Sequence, residues 1–466
     1  MYNGEKVSVM KKIPKYDMTV DLSLEELKEA ITDGLRYMDS QYRETEHGIK
    51  WERSDDDNLS ADRNYANPNS FHAGNAGMIP FLLQEYEYLN DERYLELAEQ
   101  TADTLLYSDD IHRSLDLENP TDDSPFNIYG EIPGEAAAMY RLYEYTGDER
   151  YLDFAKEAFQ CVGSSVIRTK NGFRWGGRPC YAMAGDAGTL LYLIDAARKL
   201  NDHKYDEVIR GVSYELLSLH EEDEAGYYWK ALHPLDREDY DVYWPGLEFG
   251  TSGVAQALAE AGQYLGDPVL LEGAEKGAEH LMKIAKKTEP SGVLFPMNSV
   301  NPNIHYLGHC YGSMGIMKFF YSLYAKTGKQ TYRSFLEQID EGIRSTGAPL
   351  LNSAGYWKND CYCCGVAGLL SMYLGLYAAF REKRYLDGAK QSAVKLISDS
   401  FRDDGKGLRW YQAYTRLRPY DHHCFNGYIL GNAGNLTMLT ELALLLEGRY
   451  RAFRFVEDPF PDRIID

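Results

Sequence analysis

The sequence predicts an all-α fold in which seven helical hairpins close into a double ring of inner and outer helices. Three observations carry this reading. A small-residue signature recurs seven times, as GNAG at 74–77, EIPG at 131–134, GDAG at 185–188, GTSG at 250–253, GSMG at 312–315, GVAG at 365–368 and GNAG at 431–434. Its starts lie 57, 54, 65, 62, 53 and 66 residues apart, a spacing that fits two helices and their connections. A second marker keeps the phase. Seventeen residues after the first six starts stand Asp91, Asp148, Asp202, Asp267, Lys329 and Glu382, and twenty after stand Tyr94, Tyr151, Tyr205, Leu270, Tyr332 and Tyr385.

Each signature feeds an apolar segment such as MIPFLLQEYEYL at 78–89, where Pro80 is tolerated because it falls in the first turn. A turn marked TGD or LGDP follows. There Asp148 or Asp267 is placed to cap a second helix, with Pro268 at its first position. In that second helix, ERYLELAEQTADTLL at 92–106, Tyr94, Leu95, Leu97, Ala98, Ala102, Leu105 and Leu106 recur at three- and four-residue steps among charges. The first helix of each pair is therefore expected to be buried on most sides and the second to face water on one.

Closure is favoured over an open stack, whose apolar end faces would be exposed, because neither terminal unit is a polar capping version of the repeat. The glycines let inner helices approach at one end of the ring, where the connecting loops surround a central cavity. Short β-like stretches, GFRWGG at 172–177 and GYYWKAL at 226–232, are expected to decorate it. Residues 1–30 are expected to form an N-terminal extension and 31–466 a single domain, since no low-complexity linker separates the units.

Charge limits the partners. The balance of 49 Lys+Arg against 72 Asp+Glu gives a net charge of −23, which repels nucleic acid and anionic membrane surfaces. The uncharged run CYCCGVAGLLSMYLGLYAAF at 361–380 approaches the length of a membrane span. Its cysteines, serine, tyrosines and glycines make it a buried core helix instead, so no membrane span is expected. The start, MYNGEKVSVMKKIPKYDM, has no apolar stretch of the secretory kind, and a cytoplasmic location is expected. Seven cysteines in such a chain are expected to be free thiols or metal ligands rather than disulfides.

Cys310 lies two residues before Gly312, and Cys363 and Cys364 lie two and one before Gly365. These are equivalent positions at the N-termini of neighbouring inner helices, where the partial positive charge of the helix end favours thiolate. Zinc takes thiolates in tetrahedral geometry and keeps a fourth position open in catalytic sites. The nearest spare ligands are His309 and Cys361, and His422, His423 and Cys424 offer a second ligand set.

With seven hairpins, the G-x-x-G signatures, Cys310-Tyr311-Gly312 in the fifth unit and Cys363-Cys364-Gly365 in the sixth, the sequence resembles the LanC-like lanthionine synthetase cyclases from about residue 30 onward. The resemblance implies a double α/α toroid and one zinc ion held by Cys310, Cys363 and Cys364. It also implies addition of a cysteine thiol to dehydroalanine or dehydrobutyrine in a precursor peptide. Cys364 stands where many members carry histidine, and a third thiolate adds negative charge that makes a bound sulfur more nucleophilic.

The family's acid-base positions are replaced. Phe249 stands at its histidine, Tyr181 at its aspartate and Tyr306 at its arginine. Since addition to a dehydroamino acid leaves an enolate to be protonated, Glu248, His309, Tyr181 and Tyr306 are the candidate proton donors; Glu131, His72, His305 and the Asp421-His422-His423 cluster lie near the same rim.

The leading expectation is a zinc-dependent enzyme forming a thioether within a dehydrated precursor peptide, or adding an external thiol, with dehydration supplied by a separate dehydratase or kinase/lyase. Two other readings are a non-catalytic peptide-binding relative and a zinc-thiolate glycoside hydrolase. The aromatic and acidic stretches suit sugar binding, but no convincing carboxylate pair is apparent.

Overall fold

A computed structural model describes residues 22–55, 67–108, 126–176, 182–230, 242–402 and 404–465. Helix α1 (Leu24–Met38) begins at Ser23, whose side chain accepts from the Glu26 amide while Glu26 bonds back, a reciprocal cap. Six hairpins follow it: α2 (Asn75–Leu89) with α3 (Glu92–Leu106), α4 (Ile132–Thr146) with α5 (Glu149–Ser164), α6 (Asp186–Leu200) with α7 (Asp206–Ser218), α8 (Thr251–Leu265) with α9 (Pro268–Ile284), α10 (Ser313–Thr327) with α11 (Gln330–Ser345), and α12 (Val366–Phe380) with α13 (Lys383–Asp399). Helix α14 (Asn432–Leu446) comes last and packs on α1.

The even-numbered helices form the inner ring. Each contacts the next, and α14 contacts both α12 and α2, so the ring is closed. Inner helices are buried on nearly every side, as in α12 from Val366 to Leu376, whereas α3 buries the single stripe Tyr94, Leu97, Ala98, Thr101, Ala102 and Leu105. The expected caps are present, Asp148 and Asp267 accepting from the amides of Arg150 and Val269, and Asp91 accepts from Arg93 in the same way. Helix α1 is the seventh outer helix, and the boundary expected at residue 30 falls inside it.

Among the described residues, five short antiparallel β-hairpins follow outer helices: Tyr42–Thr45 with Gly48–Trp51, Ile167–Arg168 with Phe173–Arg174, Glu221–Asp223 with Gly226–Tyr228, Lys286–Thr288 with Gly292–Leu294, and Tyr411–Ala413 with His422–Cys424. Several of these hairpins are flanked by a buried tryptophan that ties the layers together, after the second strand at Trp175 and Trp229 and before the first at Trp410. The indole N–H of Trp175, Trp229 and Trp410 donates to the C-terminal carbonyls Val162, Leu216 and Leu396 of the outer helices. Their backbone amides donate to Asp186, Thr251 and Asn432, the second residue of the following signature. The C-terminal carbonyls of one helix and the start of the next are thus fixed by one residue.

After α14 the chain enters the ring from its far end. Gln84 of α2 donates to the Arg451 carbonyl, Gln256 of α8 to the Glu457 carbonyl, and the Ile465 amide to Ala378 of α12. Phe455 stacks on Phe71 at 3.9 Å. This C-terminal segment crosses the axis and fills it. None of the described helices is long and apolar enough to cross a membrane.

Candidate metal centre

The loop before each inner helix folds back on itself, and this sets where the site residues stand. The amides of Ser313 and Val366 donate to the carbonyls seven residues earlier, Tyr306 and Asn359. A Cβ at Gly315 would lie 2.0 Å from the His309 carbonyl oxygen, and one at Gly368 2.1 Å from that of Tyr362, so only glycine allows this fold-back.

Neighbouring loops are then joined by backbone hydrogen bonds around the mouth of the ring: Met183 to Glu248, Glu248 to Cys310, His309 to Cys363, Cys363 to Ile429, Ile429 to His72, and His72 to Tyr129. Of the residues two before each signature, His72, Glu248, Cys310 and Cys363 therefore line a single opening. A cavity of about 290 Å³ lies there, lined by Cys310, Cys363, Cys364, Glu248, His72 and a wall that includes Phe249, Tyr306, Tyr311 and Trp357.

The three thiols converge. Cys310 and Cys364 Sγ are 3.5 Å apart, Cys363 and Cys364 Sγ 3.3 Å, and all three lie within 4.8 Å of one another. Sulfurs at tetrahedral positions about 2.3 Å from a zinc ion stand roughly 3.8 Å apart. Donor type and spacing therefore fit a thiolate-bound zinc. Among the described residues this is the only group of three such side chains arranged to hold a metal.

The thiols share their charge unequally. Hydrogen bonding with Cys310, Cys361 and Cys363 holds Cys364 well below the usual thiol range, while burial raises Cys310 and hydrogen bonding to its neighbours raises Cys363. Tyr306 donates to Cys364 Sγ at 3.1 Å, and Cys310 Sγ lies 3.6 Å from the same hydroxyl. Burial keeps that phenol protonated far above the usual tyrosine range. Its ring packs edge-on to Tyr311 at 5.4 Å and against Trp357 at 5.5 Å, and Phe249 stacks on Tyr311 at 4.7 Å.

Of the candidate proton donors, Glu248 and Tyr306 line the cavity and Tyr181 lies outside the described residues. His309 turns the other way, into the core, with Nε2 3.5 Å from Glu457 and its ring 5.6 Å from Tyr362. Burial and the Lys318 cation lower its pKa, with Glu457 opposing. His305 leans on the Phe295 carbonyl. In the second ligand set, His422 bonds the Pro419 carbonyl, His423 bonds Asp421 and Cys424 contacts the Tyr37 hydroxyl, so the three side chains diverge. Cys361 is fully buried and accepts from the Cys364 amide at 3.4 Å.

A closed α/α toroid with a thiol trio at the starts of adjacent inner helices defines the class of protein. The chain belongs to the lanthionine synthetase C-like protein family, whose pattern matches residues 65–447. Among solved structures it is similar to nisin cyclase, with a TM-score of 0.52 and 15% identity over 80% of this chain and 88% of that one. The Lin0763 protein from Listeria innocua aligns with a TM-score of 0.46 and 14% identity, over 92% and 99% of the two chains. The unsaturated glucuronyl hydrolase from Bacillus sp. GL1 aligns with a TM-score of 0.45 and 17% identity, over 90% and 97%. No curated protein matches the chain. The likeness to nisin cyclase is one of fold.

Proposed function

We propose that this protein is a zinc-dependent enzyme that adds a cysteine thiol to dehydroalanine or dehydrobutyrine, closing a thioether ring in a dehydrated precursor peptide or attaching an external thiol. The observation that carries the reading is the thiol trio opening onto a cavity together with one carboxyl group. A zinc ion bound by Cys310, Cys363 and Cys364 would supply a lowered thiol pKa at its fourth position. The Tyr306 hydroxyl, donating to Cys364, orients that thiolate. Glu248, whose amide is bonded to the Cys310 carbonyl, would take the proton that the thiol releases and deliver it to the carbanion that thiol addition leaves. Dehydration falls to a partner enzyme.

Among the described residues of the cavity Glu248 is the only carboxylate. A two-carboxylate glycosidase mechanism therefore lacks its second group there. The test uses a dehydrobutyrine peptide with one cysteine. Ring closure leaves the mass unchanged but removes the alkylatable thiol, so protection from N-ethylmaleimide is the readout, with a mass gain as the readout for an external thiol. Wild type is expected to catalyse one of these, Cys363→Ala neither, and Glu248→Gln to be slower by about 100-fold. Zinc-loaded protein that accelerates neither reaction contradicts the proposal.

A further inference from the structure

The residues that flank the thiols on the core side meet one short stretch of the C-terminal segment. His309 precedes Cys310 and Tyr362 precedes Cys363, and their side chains turn away from the cavity. His309 reaches Glu457, with Nε2 and Oε1 3.5 Å apart, and the Tyr362 hydroxyl lies 3.3 Å from Asp458 Oδ2. Lys318, on the helix that Cys310 introduces, bonds Asp458 at 2.8 Å and the Tyr362 hydroxyl at 2.7 Å. The Lys318 and Asp458 side chains are 3% and 2% exposed, and Glu457 is fully buried.

Burying such a cluster carries a desolvation cost that an apolar plug would avoid. It does fix directions. The segment itself is held by the Gln256 bond to the Glu457 carbonyl and by the Phe460 amide on Asp458 Oδ1. Two consecutive residues thus engage the two consecutive loops that carry the thiols, and the loops are tied to each other by the His309 amide on the Cys363 carbonyl at 2.7 Å.

We propose that Glu457 and Asp458 are positioning residues for the metal centre: the C-terminal segment, crossing the ring axis, sets the spacing of Cys310 and Cys363 through His309 and Tyr362. This rests on the reading that the three thiols hold a metal. Neither carboxylate reaches the cavity, so the action passes through the flanking side chains. Groups that orient metal ligands in this way are worth about 10- to 100-fold in metal affinity.

The test is cobalt(II) titration of the full-length protein, read by the thiolate-to-cobalt charge-transfer band, with thermal melting in parallel. Wild type is expected to show the band at one equivalent. Asp458→Asn and Tyr362→Phe are expected to bind cobalt about 10- to 100-fold more weakly, with an altered band. Arg451→Ala removes contacts of the same segment to Glu87 and Tyr145, far from both loops. It is expected to melt earlier with unchanged affinity and spectrum. Should Asp458→Asn fail to fold, Tyr362→Phe, which keeps the ring, decides. Wild-type affinity in Tyr362→Phe, or equal weakening in Arg451→Ala, overturns the positioning role. A wild type without the band overturns the metal reading itself.

Discussion

At the residue scale, the metal-free site favours the anion on one of its three sulfurs. Three neighbouring thiols and the Tyr306 hydroxyl all favour the anion on Cys364. Tyr306→Phe keeps the aromatic wall and removes one donor, so zinc affinity is expected to fall about 10-fold with the melting temperature nearly unchanged. Competition with a chromophoric chelator measures this, and an unaltered affinity would exclude the phenol from the site.

A second residue-scale prediction concerns pH. Burial raises the Glu85 carboxyl from 4.5 to about 8, against a hydrogen bond from Thr440. The folded state then holds a proton that the unfolded chain releases, so this contribution is complete below pH 4.5 and is lost as the pH rises to about 8. Glu85→Gln is expected to flatten the fall of stability over that window in denaturant titrations, and an unchanged slope would contradict the assignment.

At the scale of elements, the glycines of one hairpin separate into two kinds: those of the signature and those of the turn between its helices. Gly315→Ala would drive a methyl group into the His309 carbonyl, the residue next to Cys310, and is expected to lose both metal and several degrees of melting temperature. Gly328, at a helix end with φ +67°, has nothing within 4 Å, and its alanine variant is expected to cost only about 1 kcal/mol of left-handed strain. Paired melting curves with zinc analysis check both.

The glycine signature and the Asp-Tyr marker were legible in the sequence because each is fixed by a local contact repeated at constant phase. The tryptophan tie was not. Trp175 stands 10 residues before its signature and Trp229 21 before, because the intervening loops differ in length. The inward turn of His309 was equally hidden, since its partner, Glu457, lies in a charged C-terminal stretch with no helical period. Only the ring axis, a tertiary feature, makes that stretch core.

For the whole molecule, the seventh hairpin, whose inner helix closes the ring, is made by pairing the first described helix with the last. Leu436 of α14 packs against Gly34 of α1, so closely that a Cβ there would meet it at 2.3 Å. A chain lacking residues 1–38 is expected to expose the outward side of α14 and lose its single cooperative melting transition, whereas full-length melting behaviour after truncation would show that the ring closes without α1. The same closure holds the loops at the mouth in register, which brings residues 310, 363 and 364 to one point.

That convergence is the central claim, and metal stoichiometry tests it most directly. Elemental analysis of purified protein, with circular dichroism to confirm folding, is expected to find one zinc per chain in wild type and none in Cys363→Ala of the same helical content. Wild type without zinc, or a Cys363→Ala variant that retains it, would contradict the account.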